Sequence, residues 1–197
     1  MDEITLLSQA QRGDLDAFNR LVLAYQDQLF NIAFRILGDE DLAADATQEA
    51  FLHAFQKITT FRSGSLRGWL IRIVTNLCYD ELRRQKRRPQ TALEPLTAEG
   101  DEVESPSWMS DSRPSPEASL EQKELEHALE HCLQALPLPF RAIVVLADIE
   151  GLDYSEIAVA LRIPLGTVKS RLARARMRLR ECLQQFQELL PSIFRHA

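Results

Sequence analysis

The chain holds no apolar run approaching the roughly eighteen residues of a membrane-spanning helix. Its opening, MDEITLLSQAQRGD, starts acidic and has neither a basic leader nor a long apolar core, so no secretory signal is expected. Cysteine is scarce: Cys78, Cys132 and Cys182 stand alone, odd in number and in no Cys-x-x-Cys pair. That usage suits three reduced thiols in a cytoplasmic protein, each a small buried or half-buried side chain. No internal repeat is evident. What remains, 45% hydrophobic and 26% charged among 197 residues, is the composition of a soluble globular chain, enough for one medium domain or two small ones.

An excess of cations is also missing. The net charge of -6 looks wrong for a nucleic-acid binder until it is divided along the chain. Residues 1–89 carry 12 Lys+Arg against 12 Asp+Glu, and residues 120–197 carry 10 against 10. Residues 90–119 hold one arginine, Arg113, against seven acids, which accounts for the whole imbalance. This segment is rich in Pro and Ser and poor in apolar residues, so it cannot bury a core. The expected architecture is all-α: two small helical domains, residues 1–89 and 120–197, joined by a flexible acidic linker at 90–119.

The second domain is organised around residues 153–180, DYSEIAVALRIPLGTVKSRLARARMRLR. Asp153 followed by Glu156 reads as a capping box at a helix start. Ile157, Ala158 and Leu161 then recur at helical spacing, and Pro164 interrupts the pattern. Val168, Leu172, Ala175 and Leu179 form one face of a second helix. Around them lie Lys169, Arg171, Arg174, Arg176, Arg178 and Arg180, with no acid between 169 and 180. A solvated helix face usually mixes signs; a run of cations repels itself unless phosphates supply the counter-charge. Two helices, a tight turn and a basic second helix predict a helix-turn-helix that reads the major groove. Helices at about 120–136 and 140–149 supply the core behind it.

Helical periodicity also covers the first domain, over about 4–11, 16–37, from 39 to about 58, and 66–85. The second of these carries a stripe from Phe18 through Leu29 and Ile32 to Ile36, stopped by Gly38. The third carries Leu42, Ala46, Ala50, Phe51, Ala54, Phe55 and Ile58. On the fourth, Arg72, Asn76, Asp80, Arg83 and Arg84 can line one polar stripe, and residues 83–88 hold five cations in six positions. These cations either complement the helix C-terminus or form a second nucleic-acid surface. In the latter case Phe61 and Trp69, flanking a Gly/Ser loop, could hold unstacked bases; Trp69 could equally be core. Asp45, Glu49 and His53 at i, i+4 and i+8 have ligand chemistry, but one helix rarely supplies enough ligands, so no metal or cofactor is expected. His127 and His131, with Glu124, read as a solvated polar face.

Together these motifs resemble the extracytoplasmic-function sigma factors, two-domain promoter-recognition subunits of bacterial RNA polymerase. Asp45-x-x-Gln48-Glu49-x-Phe51, with Phe55, is similar to the family's polymerase-binding helix. Phe61-Arg-x-Gly-Ser, Trp69-Leu-x-Arg72-Ile, Asn76-x3-Asp80 and Arg83-Arg84 resemble the segment that melts and reads the minus-ten element. Tyr154-x-Glu156-Ile-Ala and Ile163-Pro-x-Gly-Thr167-Val-Lys169-Ser170-Arg171-Leu-x-Arg174-Ala-Arg176 resemble the minus-thirty-five reader, with Arg178 extending it. The resemblance implies no catalysis by the chain itself. It implies binding to the polymerase clamp and flap, recognition of promoter DNA, and restraint by an anti-sigma factor. Arg162 stands where the family usually has a small turn residue, and Gly68 where it has a hydroxyl. Two rivals have different chemistry: a dimeric regulator with a response-regulator type of helix-turn-helix, and a metal enzyme built on Asp45, Glu49 and His53.

Overall fold

The computed structural model describes residues 2–87, 116–186 and 188–189. Among them the regular structure is helical: α1 (Glu3–Gln11), α2 (Leu15–Leu37), α3 (Glu40–Lys57), α4 (Leu66–Arg87), α5 (Pro116–Ala135), α6 (Leu138–Val144), α7 (Tyr154–Leu161) and α8 (Leu165–Leu183). The all-α expectation holds. Most of the expected linker and Arg88 of the basic run lie outside the described residues. α5 begins earlier than periodicity suggested, at Pro116, a residue suited to the first helical position.

Helices α1 to α4 form one bundle around α2. Asp14 caps α2 by accepting from the Ala17 amide at 3.1 Å. Leu29, Ile32, Ala33 and Ile36 are fully buried along its inner face. Gly38 ends it with φ at +75°, a conformation that costs glycine little. α3 lies close to α2 and α4 because its inward residues, Ala43, Ala46, Thr47, Ala50 and Ala54, are small.

Helices α5 to α8 form the second bundle. The sequence suggested one continuous helix over about 140–149; instead α6 ends at Val144 and the chain continues through a π turn, Val145–Ile149. The Glu150 amide donates to the Val145 carbonyl at 2.9 Å, and that of Leu152 to Leu146 at 3.0 Å. This wider turn re-aims the side chains that follow it. Nearly all the buried apolar residues of both bundles belong to one continuous cluster: α2 packs on α5, α6 and the π turn, and α4 packs on α7.

The expectation of three separate thiols is corrected. Cys132 on α5 and Cys182 on α8 are joined in a disulfide with their Cα atoms 5.7 Å apart. Fifty positions separate them, so only the packing of α5 against α8 brings them together. Cys78 alone is a free thiol; burial pushes its pKa up to about 12, leaving it protonated and unreactive. Closing a loop of this length stabilises by roughly 3–4 kcal/mol. Dithiothreitol should therefore lower the denaturant midpoint of the C-terminal bundle by an equivalent amount, measured by chemical denaturation with and without the reductant.

Candidate nucleic-acid interface

Three surfaces carry the residues singled out by sequence. The first is the outer face of α3, a helix capped by the Asp39 carboxylate, which accepts from the Leu42 amide at 2.9 Å. Asp45, Gln48 and Glu49 are exposed side by side. Sequence left Phe51 and Phe55 between core and surface. Phe51 is half-buried, whereas Phe55 is 42% exposed with its ring edge on Phe18, centroids 5.0 Å apart. The five residues thus offer an acidic patch with an aromatic border. His53 lies 3.8 Å from the Glu49 carboxylate. Among the described residues no group of three or more His, Cys, Asp or Glu is arranged to hold a metal ion.

The second surface surrounds the loop before α4. Phe61 and Trp69 stand with ring centroids 5.2 Å apart at 46°, both half-buried, so Trp69 is partly core and partly accessible. Ser65 accepts from the Gly68 amide at 3.1 Å and starts the helix. Gln11 of α1, which sequence did not single out, donates to the carbonyls of Phe61 (2.6 Å) and Ile58 (3.1 Å) and fixes the loop from behind. Phe61, the Gly/Ser loop, Trp69 and Arg72 line a cleft of about 660 Å³ whose opposite wall is α7: Ser155, Glu156, Val159 and Ala160. Further along α4, Asn76 is half-buried, Asp80 pairs with Arg83 at 3.3 Å, and Arg84 pairs with Glu81 at 2.6 Å. The Asp80–Arg83 pair is exposed on both sides and contributes little to stability, whereas Glu81 is largely covered.

The third surface is the helix-turn-helix. The capping box is present as expected: Asp153 accepts from the Glu156 amide at 2.8 Å and Glu156 accepts from the Asp153 amide at 3.0 Å. Arg162 closes α7 in the left-handed region, φ 53° and ψ 47°. Val168, Leu172 and Ala175 bury the inner face of α8, and Lys169, Ser170 and Arg174 are exposed on the outer one. Thr167 and Arg171 are half-buried. The α8 cations do not form one uniform stripe. Arg176 makes two hydrogen bonds to Asp148 in the π turn, at 3.1 and 2.5 Å, and the Arg178 guanidinium sits 4.9 Å over the Phe140 ring. Asp148 is 28 positions from Arg176, beyond any local spacing rule, so sequence reading missed both anchors. Tyr79 on α4, its pKa raised by burial, feels the fields of both Arg171 and Arg83.

Comparison with known proteins assigns both bundles to known families. Residues 21–88 match Sigma-70 region 2, and residues 126–179 match Sigma-70, region 4. RNA polymerase sigma-H factor of Pseudomonas aeruginosa is 36% identical over 91% of this chain and 92% of its own length. The chain belongs to the extracytoplasmic-function (ECF) sigma factors. ECF sigma factor SigW of Bacillus subtilis is 34% identical over 90% of the chain and 95% of its own. SigE of Mycolicibacterium smegmatis is 38% identical over 86% of the chain, which spans 62% of that longer protein. Two solved folds are alike: CnrH in complex with the cytosolic domain of CnrY (25% identity, TM-score 0.63, 93% of this chain and 97% of that one), and the sigma factor RpoE with the anti-sigma factor NepR from Bartonella quintana (27%, 0.64, 86% and 98%).

In this ECF sigma factor region 2 runs from within α2 to the end of α4, and region 4 from within α5 into α8. Arg162 holds a conformation that costs an L-residue about 1–2 kcal/mol. Arg162→Gly relieves that strain and returns part of the gain as chain entropy. We expect a net stabilisation of about 0.5–1 kcal/mol by thermal or denaturant unfolding, with the α8 surface unchanged.

Proposed function

We propose that this sigma factor binds RNA polymerase core and directs it to a set of promoters, with residues 1–89 and 120–197 acting as separate readers on either side of the acidic segment 90–119. The observation that carries this reading is the occurrence of both sigma regions in one chain, with the motif residues of each at accessible positions. Asp45, Gln48, Glu49, Phe51 and Phe55 dock on the polymerase clamp, where acids meet basic residues and the aromatics supply buried anchors. Region 4 engages the flap. The chain contributes binding and strand separation, not catalysis; phosphodiester chemistry belongs to the polymerase, and the chain acts with it in the cytoplasm.

On the DNA, Thr167, Lys169, Ser170, Arg171 and Arg174 meet the minus-thirty-five element. Arg174, exposed and planar, can pair with guanine in bidentate fashion. Arg176 and Arg178 serve phosphates from the flank, held in place by Asp148 and Phe140. Phe61, Trp69, Arg72, Asn76 and Asp80 receive an unstacked minus-ten base, which costs a few kcal/mol to extract and which the aromatic cleft compensates. Arg83 and Arg84 exchange their carboxylates for the backbone. An anti-sigma factor that covers one or both domains is the expected inhibitor, as NepR and CnrY accompany the two structural relatives.

Two outcomes test these roles. Glu49→Lys and Gln48→Ala replace exposed side chains, so stability should change by no more than about 0.5 kcal/mol. Binding to core polymerase and promoter opening should nevertheless fall sharply, measured by native gel shift and abortive transcription; normal core binding by Glu49→Lys would remove α3 from the interface. Arg174→Ala should lose about 1–3 kcal/mol of discrimination at one upstream base pair. Arg178→Ala should weaken all sequences alike, both being read from binding to a randomised promoter library.

A further inference from the structure

The loop that carries Phe61 is held by a residue lying before residues 21–88, the stretch matched to Sigma-70 region 2. Gln11, at the end of α1, reaches both ends of the 3-10 turn Ile58–Thr60. Its Nε2 donates to the Ile58 carbonyl at 3.1 Å and to the Phe61 carbonyl at 2.6 Å. A side-chain amide nitrogen carries two N–H bonds, so both are used. The Ile58 carbonyl also accepts from the Phe61 amide at 3.2 Å, which occupies its second lone pair. Beyond Phe61, residues 62–65 are exposed, and Gly64 turns the chain with φ at +105°. The Gln11 amide thus ties the start of an exposed stretch to the helix behind it.

That helix is itself a fixed mount. Near its start the Tyr25 hydroxyl of α2 donates to the Glu3 carboxylate. Burial, together with that carboxylate, pushes the phenol pKa up to about 12, so the donor keeps its proton at neutral pH. Ala10 is buried, and Leu6 and Leu7 pack against the core. Gly13, with φ at +93°, turns the chain into α2. We propose that Gln11 is a positioning residue of the minus-ten reader: it sets the attitude of the Phe61 ring beside Trp69, so that the pair meets an unstacked base already arranged. This role rests on the assignment of Phe61 and Trp69 to the minus-ten element. Gln11 acts through the loop and not on the DNA. A loop held in its receptive form loses less conformational freedom on capture, which tightens binding without any new contact.

The test uses the full-length chain assembled with core polymerase. Its probe is a fork-junction DNA, an upstream duplex ending in a single-stranded minus-ten overhang, with the sequence of a promoter selected by the wild-type holoenzyme from a randomised library. Gln11→Glu keeps the side chain's shape but turns acceptors toward two carbonyls; Gln11→Ala removes the tie. Each should weaken fork-junction binding about tenfold, the loss expected when the receptive loop falls from nearly all to about a tenth of the population. Core binding, and binding of the upstream duplex without its overhang, should stay within about twofold of wild type. Phe61→Ala should weaken the fork junction at least as much, and adding Gln11→Glu to it should cost little more, because residues acting through one another are not additive. Circular dichroism verifies folding. Wild-type fork-junction binding by both Gln11 variants, beside a loss in Phe61→Ala, would overturn the positioning role and leave the minus-ten assignment standing. Additive losses in the double variant, or an equal loss of core binding, would also overturn it, since Gln11 then serves the fold alone. If Phe61→Ala binds the fork junction as wild type does, the minus-ten assignment fails and the role of Gln11 falls with it.

Discussion

Burial of one side of α2 is the constraint on which the remaining structure depends. Its 23 residues span roughly 35 Å at the helical rise, long enough to serve both bundles. Its packing partners are α1, α3 and α4 from its own bundle, and α5, α6 and the π turn from the other. Leu29, Ile32, Ala33 and Ile36 are fully excluded from water. Burial of a Leu or Ile side chain is worth about 1.5–3 kcal/mol, so a polar residue among them would loosen several contacts together. The last turn of α2 then does a second job: its carbonyls, free of intrahelical donors, become acceptors for Arg141 and Gln134.

Much of this was legible in the sequence because the signals were local. The Gly38 stop, the Asp153–Glu156 box and the Pro164 break act over three or four residues, and each governs a boundary that the fold keeps. The spacing of Asp45, Gln48 and Glu49 likewise places them on one face whatever surrounds the helix. Features that depend on distant partners were not legible. Cys132 and Cys182 become neighbours only when α5 packs on α8. Arg176 finds Asp148, and Glu150 finds Gln28 and Arg67, through tertiary placement. The π turn was hidden because the apolar pattern of 140–149 suits a regular helix equally well; hydrogen bonding of Glu150 and Leu152 across the wider turn departs from it.

Charge is divided unevenly over the surface. Each bundle is close to neutral in formal charge by sequence, yet acids dominate the outer face of α3 and cations dominate α8. On α8 the cations differ in their constraints. Arg176 and Arg178 are anchored to a carboxylate and a ring, which restricts their rotamers. Lys169 and Arg174 are exposed on the outer face.

The covalent bridge between α5 and α8 has a mechanical consequence. Residues 132–182 form a closed ring that contains α6, the π turn, α7 and nearly all of α8. Tension applied through the chain ends bypasses that ring, since the load crosses at the sulfurs. Full extension therefore falls short by roughly 170 Å of contour, and the recognition helix is shielded from unravelling when the two bundles are pulled apart.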